Sequence, residues 1–339
     1  MKAIVLVKKG NPTKAFEQRE IERPKPTPSQ VLIQVEAFGL NFADVMARNG
    51  LYEDAPKMPS VLGYDVVGTI SELGEDVTDL KIGQRVLALT RFGGYAEFVT
   101  TESLAVVPIS EEMPVGDAVA LATQYITAYY CAEEMVQLNK GDNVLIHAAA
   151  GGVGTALVQI AKNKGCIVYG TASASKLKHL KEQGVDFPID YQSQDFSKII
   201  ANIVGESGID VIFDSIGGYS VRKGYRLLGF GGKIVCFGGS DLIAGKGNIF
   251  KLLRTVIGFG LYSPIHLLNR SKSLLSVNML HIADHHPDVI QKCLKAVVDS
   301  YNKQHIKPII GGIYNTDEIG LAHELLENRK TIGKIVVKW

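Results

Sequence analysis

The stretch NVLIHAAAGGVGTALVQIAKNKG, residues 143–165, constrains the fold more than any other part of this chain. An apolar run meets closely spaced glycines and passes straight into apolar residues at helical spacing. That is the order strand, tight turn, helix. Ala149–Gly154 fits the G-x-G-x-x-G pattern with Ala149 in the first glycine slot, where a side chain restricts φ at the turn. Gly151 lets backbone approach a pyrophosphate, and Gly154 lets the helix pack on the strand. The N–H groups of Ala150, Gly151, Gly152, Val153 and Gly154 are then placed to receive the anion at the helix start. The alternative is a tight turn in another α/β fold. The surrounding alternation of strands and helices favours the dinucleotide reading.

That alternation runs from about residue 115. CIVYGTA precedes SKLKHLKEQG, VDFPIDY precedes DFSKIIANIVG, IDVIFDSIG precedes YSVRKGYRLLG, and KIVCFGG and LLSVNML follow as strands. Strands separated by helices imply right-handed crossovers and a parallel sheet, with the doubly wound order 3-2-1-4-5-6 as the expectation. Before it, MKAIVLV, QVLIQVEAFG, DVVGTISELG, QRVLALT, YAEFVT and LAVVPI are short β-branched runs broken by Gly, Pro and Asp. They predict a compact antiparallel barrel. After it come a helix, the run IKPIIGGIYN, a second helix and a last strand GKIVVKW, expected to return to the first domain. The expected domains are residues 1–122 with 304–339, and residues 123–303.

Nucleotide choice turns on the residues after the second strand. NAD enzymes place Asp or Glu about 20 residues beyond the glycines, where it accepts from the ribose 2′-OH. Here the run is Gly170-Thr171-Ala172-Ser173-Ala174-Ser175-Lys176, with no carboxylate. Ser173, Ser175 and Lys176 supply donors and positive charge to a 2′-phosphate, which favours NADPH. Alternatively, Lys176 merely opens the solvated lysine face of SKLKHLK. Tyr191, after the third strand, flanks the same phosphate or caps a core edge.

Several function classes are excluded. A net charge of +1 gives a polyanion no bulk attraction, and no nucleic-acid-reading motif is present. G-x-S-x-G is absent, and Lys233 is followed by Ile, so no nucleotide-hydrolysing phosphate loop forms. Cys131, Cys166, Cys236 and Cys293 are too scattered for a zinc knuckle or redox dithiol and suit a reducing, cytoplasmic compartment. The N-terminus reads as a strand rather than a signal peptide. His281, Asp284, His285 and His286 form the one metal-like cluster, expected as solvated loop or cap residues, so no metal is expected. The segment 246–270 has no Asp, Glu, Lys or Arg from Thr255 to Asn269, with Lys246, Lys251 and Arg254 at its start. It suits a buried interface or a cleft wall, or else an anionic membrane surface or lipid.

The β-rich first part, AAAGGVG and TASASK resemble the medium-chain dehydrogenase/reductase superfamily, in its zinc-free quinone oxidoreductase subgroup. GLNFADVMARNGLY (39–52), QYITAYY (124–130), GTASASKLKHLKEQGV and NRKTIGKIVV (328–337) are most similar to the vesicle amine transport protein homologues. The resemblance spans essentially the whole chain. It implies an α/β architecture of a GroES-like barrel plus a doubly wound Rossmann domain, and a homodimer joined at the edge of the nucleotide sheet. Zinc enzymes of the superfamily carry a Cys after the second strand and a later Gly-His-Glu. This chain has Gly39-Leu40-Asn41 and Gly63-Tyr64-Asp65 there, and Leu cannot bind zinc while Tyr is a poor ligand. Without a Lewis acid, hydride delivery to a quinone or a conjugated enone is easier than alcohol oxidation. The resemblance places Asn41 by the nicotinamide, Tyr52 on the substrate cleft, Thr127 near the nicotinamide ribose and Lys334 near the cofactor. Asn41 and Tyr52 are candidate donors to a developing oxyanion. Their alternatives are a helix cap for Asn41, packing under a loop for Tyr52 and a strand-edge charge for Lys334. Phe237, Gly238, Gly239 and Ser240 end the fifth strand, where such sheets bind ligand. The expected function is an NADPH-dependent quinone or enone reductase. The alternative is a cofactor-binding membrane-associated or lipid-transfer protein.

Overall fold

The computed structural model describes residues 1–241 and 249–339, which form two compact units. One comprises Met1–Ile126 and Leu280–Trp339, the other Thr127–Met279.

The first unit is built on the strand Gln30–Leu40, whose eleven residues serve three neighbours. It pairs antiparallel with Asp65–Leu73, with Phe98–Glu102 and with Lys334–Lys338. Arg85–Leu89 and Val106–Pro108 extend the sheet on one side and Ile310–Asn315 on the other. A smaller sheet orders Phe16–Glu20, Lys2–Leu6 and Ser60–Val61. Val31, Ile33, Phe38 and Leu40 lie in one core with Leu62, Val66, Tyr95 and Ile335. Each large side chain taken out of water there contributes roughly 1.5–3 kcal/mol. The last strand thus completes a sheet begun some three hundred residues earlier.

The second unit is a six-stranded sheet with the order Phe187–Asp190, Ile167–Ala172, Asn143–Ile146, Ile209–Asp214, Leu228–Cys236, Ser273–Ser276. Every adjacent pair is parallel, and in chain order this is 3-2-1-4-5-6, the doubly wound arrangement. Val144, Leu145 and Ile146 are fully buried, as expected of a central strand covered on both faces. The helix Gly152–Asn163 buries Ala156, Leu157, Val158, Ile160 and Ala161.

The structure departs from the sequence reading in LLSVNML. Only Ser273–Ser276 is extended, and Met279–His285 is helical. Leu280 is buried in the core of the first unit, so the chain leaves the second sheet at this point rather than at residue 303. The next helix, Pro287–Asn302, buries Ile290, Cys293, Leu294, Val297 and Val298 and packs on Val106–Pro108 of the first unit. Among the described residues, no helix is long and apolar enough to cross a membrane.

Candidate functional site

In the second unit, five loops gather at the carboxyl ends of the strands. The His147 N–H donates to Phe213 O, the Ala149 N–H to Thr171 O and the Phe237 N–H to Asp214 O, each at 3.0 Å. The Tyr191 N–H donates to Ala172 O at 3.1 Å. The glycine loop, Ser173–Lys176, Tyr191 and Phe237–Ser240 therefore share one end of the sheet. The reversal of strand order falls between Asn143–Ile146 and Ile209–Asp214, the position where open α/β sheets bind ligands.

The turn differs from the expectation by one residue. Ala148, not Ala149, takes the left-handed conformation, at φ 51°. The Gly151 N–H closes the turn onto Ala148 O at 2.8 Å, and Gly151 occupies the N-cap of Gly152–Asn163 without a capping side chain. The N–H groups of that first turn thus open from a bare helix end, a dipole terminus suited to a phosphate. A Cβ on Gly154 would stand 2.2 Å from Ala148 O, so the helix approaches the strand end only because Gly154 has none.

Ser173 Oγ and Ser175 Oγ lie 3.3 Å apart, and the Lys176 N–H closes a short turn onto Ser173 O at 2.9 Å. Ser175 and Tyr191 are exposed, while Ser173 and Lys176 are half-buried. One carboxylate nearby was not foreseen. Asp190 pairs in register with Ala172 across the parallel strands. Its oxygens accept from Ser193 Oγ at 2.6 Å and from the Gln192 N–H at 3.1 Å, and these bonds hold its carboxyl below the ordinary range. Most of these bonds come from its own loop, and it also accepts from the Ala174 N–H of the Ser173–Lys176 turn.

Two further side chains of this crevice were missed. Buried His147 contacts Thr171 Oγ1 through Nδ1 at 3.1 Å, and burial pushes its imidazole below the ordinary value. Its Nε2 stands 3.9 Å from Asp214, whose carboxylate accepts the Ile216 and Gly217 N–H groups and Ser220 Oγ. Asp214 thereby shapes the loop that runs beside Phe237–Ser240, where the Ser240 N–H donates to Ser215 O at 3.2 Å. The signal available in sequence was a polar residue closing each apolar strand, VLIH and VIFD. Thr127, also in this unit, is buried on the helical turn Ile126–Tyr129 and is followed by a π-helical stretch, Tyr130–Val136.

In the first unit, Asn41 and Lys334 meet directly. Lys334 Nζ donates to Asn41 Oδ1 at 2.9 Å and also to Asp65 Oδ2, while Asn41 Nδ2 donates to Asp65 Oδ1 at 3.0 Å. Lys334 and Asp65 are completely buried. Lys334 is therefore not an exposed strand-edge charge. Asn41 stands at the N-cap of Phe42–Arg48 and forms a capping box with Asp44, which accepts the Asn41 N–H at 2.8 Å, while its amide also bonds Lys334 and Asp65. Burial, and then the charge of Asp65, push the Asp44 carboxyl up to about 7.

Tyr52 is half-buried and meets Tyr64 edge-on at 6.2 Å, and Tyr64 in turn packs on Phe92 at 5.0 Å. Burial raises the Tyr52 phenol above its ordinary value, with Asp54 adding to the effect, so it is a donor at neutral pH. Of the His281 group, His281, Asp284 and His285 are helical rather than in a loop, and His286 is the N-cap of Pro287–Asn302; His281 faces Asp54 at 3.1 Å and Asp284 pairs with Arg91 at 2.9 Å. Among the described residues, no three His, Cys, Asp or Glu side chains converge as metal ligands.

Residues 27–111 match the alcohol dehydrogenase GroES-like domain family, and residues 152–278 match the zinc-binding dehydrogenase family. The human synaptic vesicle membrane protein VAT-1 homolog is 36% identical over 324 residues, covering 95% of this chain and 82% of that protein. A mycobacterial protein solved in complex with NADPH has a TM-score of 0.87 at 27% identity, with all of both chains covered. The Escherichia coli quinone oxidoreductase, also solved with NADPH, has a TM-score of 0.86 at 25% identity and the same coverage. With both domains, the doubly wound order and a relative of this identity along nearly its whole length, the chain belongs to the medium-chain dehydrogenase/reductase superfamily, close to the VAT-1 homologues.

Proposed function

We propose that the chain is an NADPH-dependent, zinc-independent oxidoreductase that reduces quinones or α,β-unsaturated carbonyls. The observation that carries the reading is the bare helix end at Gly151–Gly154, set at the strand-order reversal beside Ser173, Ser175 and Lys176. The helix end takes the pyrophosphate. The two serines and the lysine take the 2′-phosphate, with Tyr191 on its flank. Phe237–Ser240 and Thr127 hold the nicotinamide half. NADPH in two structural relatives supports the same cofactor.

Bound NADPH supplies a hydride, and the chain's own groups supply orientation and hydrogen bonds. Asn41 Nδ2 and the protonated Tyr52 phenol are donors to the acceptor's oxygen as charge develops on it. A quinone or enone delocalises that charge, so neutral donors suffice. The zinc-ligand positions support this acceptor class. Leu40 is buried and apolar, and the Asp65 carboxylate is already neutralised by Lys334.

The test is titration calorimetry with NADPH and NADH, together with NADPH oxidation against a panel of quinones and enals. Tighter NADPH binding, and turnover with at least one acceptor, are expected. Lys176→Glu should erase the NADPH preference. An unaltered ratio of the two affinities would overturn the cofactor assignment, and a firmly held zinc ion in purified protein would overturn the acceptor class.

A second reading, association with an anionic membrane, is favoured by one observation. On the helices Ile249–Phe259 and Pro264–Arg270 and the link between them, Phe250, Leu253, Ile257, Leu261, Ile265 and Leu268 are all exposed. Arg254 and Arg270 accompany them, and residues 249–270 contain no Asp or Glu. Of the basic residues singled out from sequence, Lys246 and the side chain of Lys251 lie outside the described residues. Apolar side chains beside cations and free of acids suit an anionic lipid surface. Flotation with phosphatidylserine vesicles but not phosphatidylcholine vesicles is expected. Firm flotation without turnover on any acceptor would make this the principal activity. The edge strand Ser273–Ser276 offers the proposed homodimer its pairing edge, which sedimentation equilibrium tests.

A further inference from the structure

Asn41, Lys334 and Asp65 form a closed ring of three hydrogen bonds. Lys334 Nζ bridges Asn41 Oδ1 and Asp65 Oδ2, and Asp65 Oδ1 accepts from Asn41 Nδ2. An ammonium only donates and a carboxylate only accepts. Turning the amide over would set its NH2 against the ammonium and its oxygen against the carboxylate, with both charges fully buried. The ring therefore admits one orientation of the amide. It uses the Nδ2 hydrogen on the side of Oδ1, and the second Nδ2 hydrogen points away from both charges.

The approach of Lys334 depends on a missing side chain. A Cβ on Gly39 would lie 2.1 Å from Lys334 Cε, 2.5 Å from Nζ and 2.7 Å from Asp65 Oδ1. Gly39 lies opposite Val336 in the antiparallel pair, so the ammonium is laid across the strand where the glycine leaves room.

We propose that Lys334 is a positioning residue: with Asp65 it locks the Asn41 amide so that Asn41 presents a hydrogen-bond donor, never an acceptor, to the carbonyl oxygen of the electron acceptor. This rests on the reductase reading. It accounts for the use of a fully buried lysine beside Asn41. It also assigns a preference: acceptors offering a bare carbonyl oxygen are favoured at Asn41 over those presenting an N–H or O–H there.

Two measurements test it. Proton exchange of the Asn41 side-chain amide, assigned by its loss in Asn41→Ala, reads the lock whether or not an acceptor is turned over. In the wild type, one Nδ2 hydrogen should be protected and the other should exchange with solvent. In Lys334→Met/Asp65→Leu, which removes both charges together and leaves no buried ion unpaired, the two should exchange alike. Equal exchange of the two hydrogens in the wild type overturns the proposal. The second measurement is a kinetic cycle with a quinone acceptor. Asn41→Ala, the double replacement and Gly39→Ala should each lower kcat/KM by about 10- to 100-fold, the cost of a misplaced positioning group. Adding Asn41→Ala to the double replacement should then cost nothing further. Multiplying losses, or a double replacement with full kcat/KM, overturns the proposal. Absence of turnover in the wild type with the exchange pattern intact overturns the reductase reading and the acceptor role, while the amide lock stands.

Discussion

Replacing Gly154 by Ala should damage both the fold of the second unit and its hold on a nucleotide. The new Cβ would lie 2.2 Å from Ala148 O, 2.8 Å from Ala149 Cα and 2.9 Å from Ala148 C. Favourable carbon contacts begin near 3.5 Å, so the closest overlap exceeds an ångström. All three atoms are backbone, and no side chain can swing aside. Alanine gains about 1 kcal/mol over glycine in a helix interior, while overpacking typically costs about 1–3 kcal/mol and occasionally more. With rigid neighbours the upper end applies, leaving a net loss of about 2 kcal/mol. Relief requires the start of Gly152–Asn163 to retreat from the strand, which carries its N–H groups away from the pyrophosphate position. Gly151→Ala is the control, because its Cβ would meet only Ala148 O, at 3.2 Å, and Gly151 has an ordinary φ of −78°. Urea denaturation with NADPH calorimetry should show Gly154→Ala losing stability and affinity, and Gly151→Ala losing affinity with little change in stability. If Gly154→Ala stays within about 0.5 kcal/mol of wild type, below any overpacking cost, the close approach has been misjudged.

Ala148→Gly should raise stability by up to about 1 kcal/mol, because the left-handed conformation is costly for alanine and the gain is partly offset by glycine's freer unfolded chain; a midpoint no higher than wild type removes the strain argument. Asp44 holds a proton in the folded state up to about pH 7 that the unfolded chain releases near pH 4. Its contribution to stability therefore falls as pH rises through that window, by on the order of 4 kcal/mol, and is fully lost above it. The stability difference between wild type and Asp44→Asn, measured from pH 4.5 to 7.5, should move in the variant's favour with rising pH, and a difference independent of pH refutes the assignment. Leu261→Asp with Leu268→Asp should abolish flotation with phosphatidylserine vesicles and leave NADPH affinity unaltered, and persistent flotation would show that another surface meets the lipid.

Much of the fold can be read from local pattern. The alternation after residue 115 implies the strand order, because right-handed crossovers leave few topologies, and each crevice loop follows its strand end in the chain. What escaped the reading came from neighbours distant in sequence. Asp190 reaches the Ser173 loop through its register with Ala172 and the Ala174 N–H. Lys334 reaches Asn41 across 293 residues, and no spacing rule connects them. LLSVNML misled because a seven-residue apolar run suits a strand or a short helix equally, and Leu280 is claimed by the core of the other unit. The turn at Ala148 was displaced by one residue because the glycine pattern locates a loop but not the residue that bears its strain.

The position of Lys334 in the chain also orders events on the ribosome. Residues 127–279 are contiguous, so a nascent chain can finish the parallel sheet while the tail is still being translated. The barrel has to wait. Asp65 emerges 269 residues before its counter-ion, and until residues 334–338 arrive the Ala37–Leu40 end of the central strand lacks one of its partners. The segment made before the parallel sheet therefore matures after it, and removing residues 334–339 alone would leave that segment unclosed.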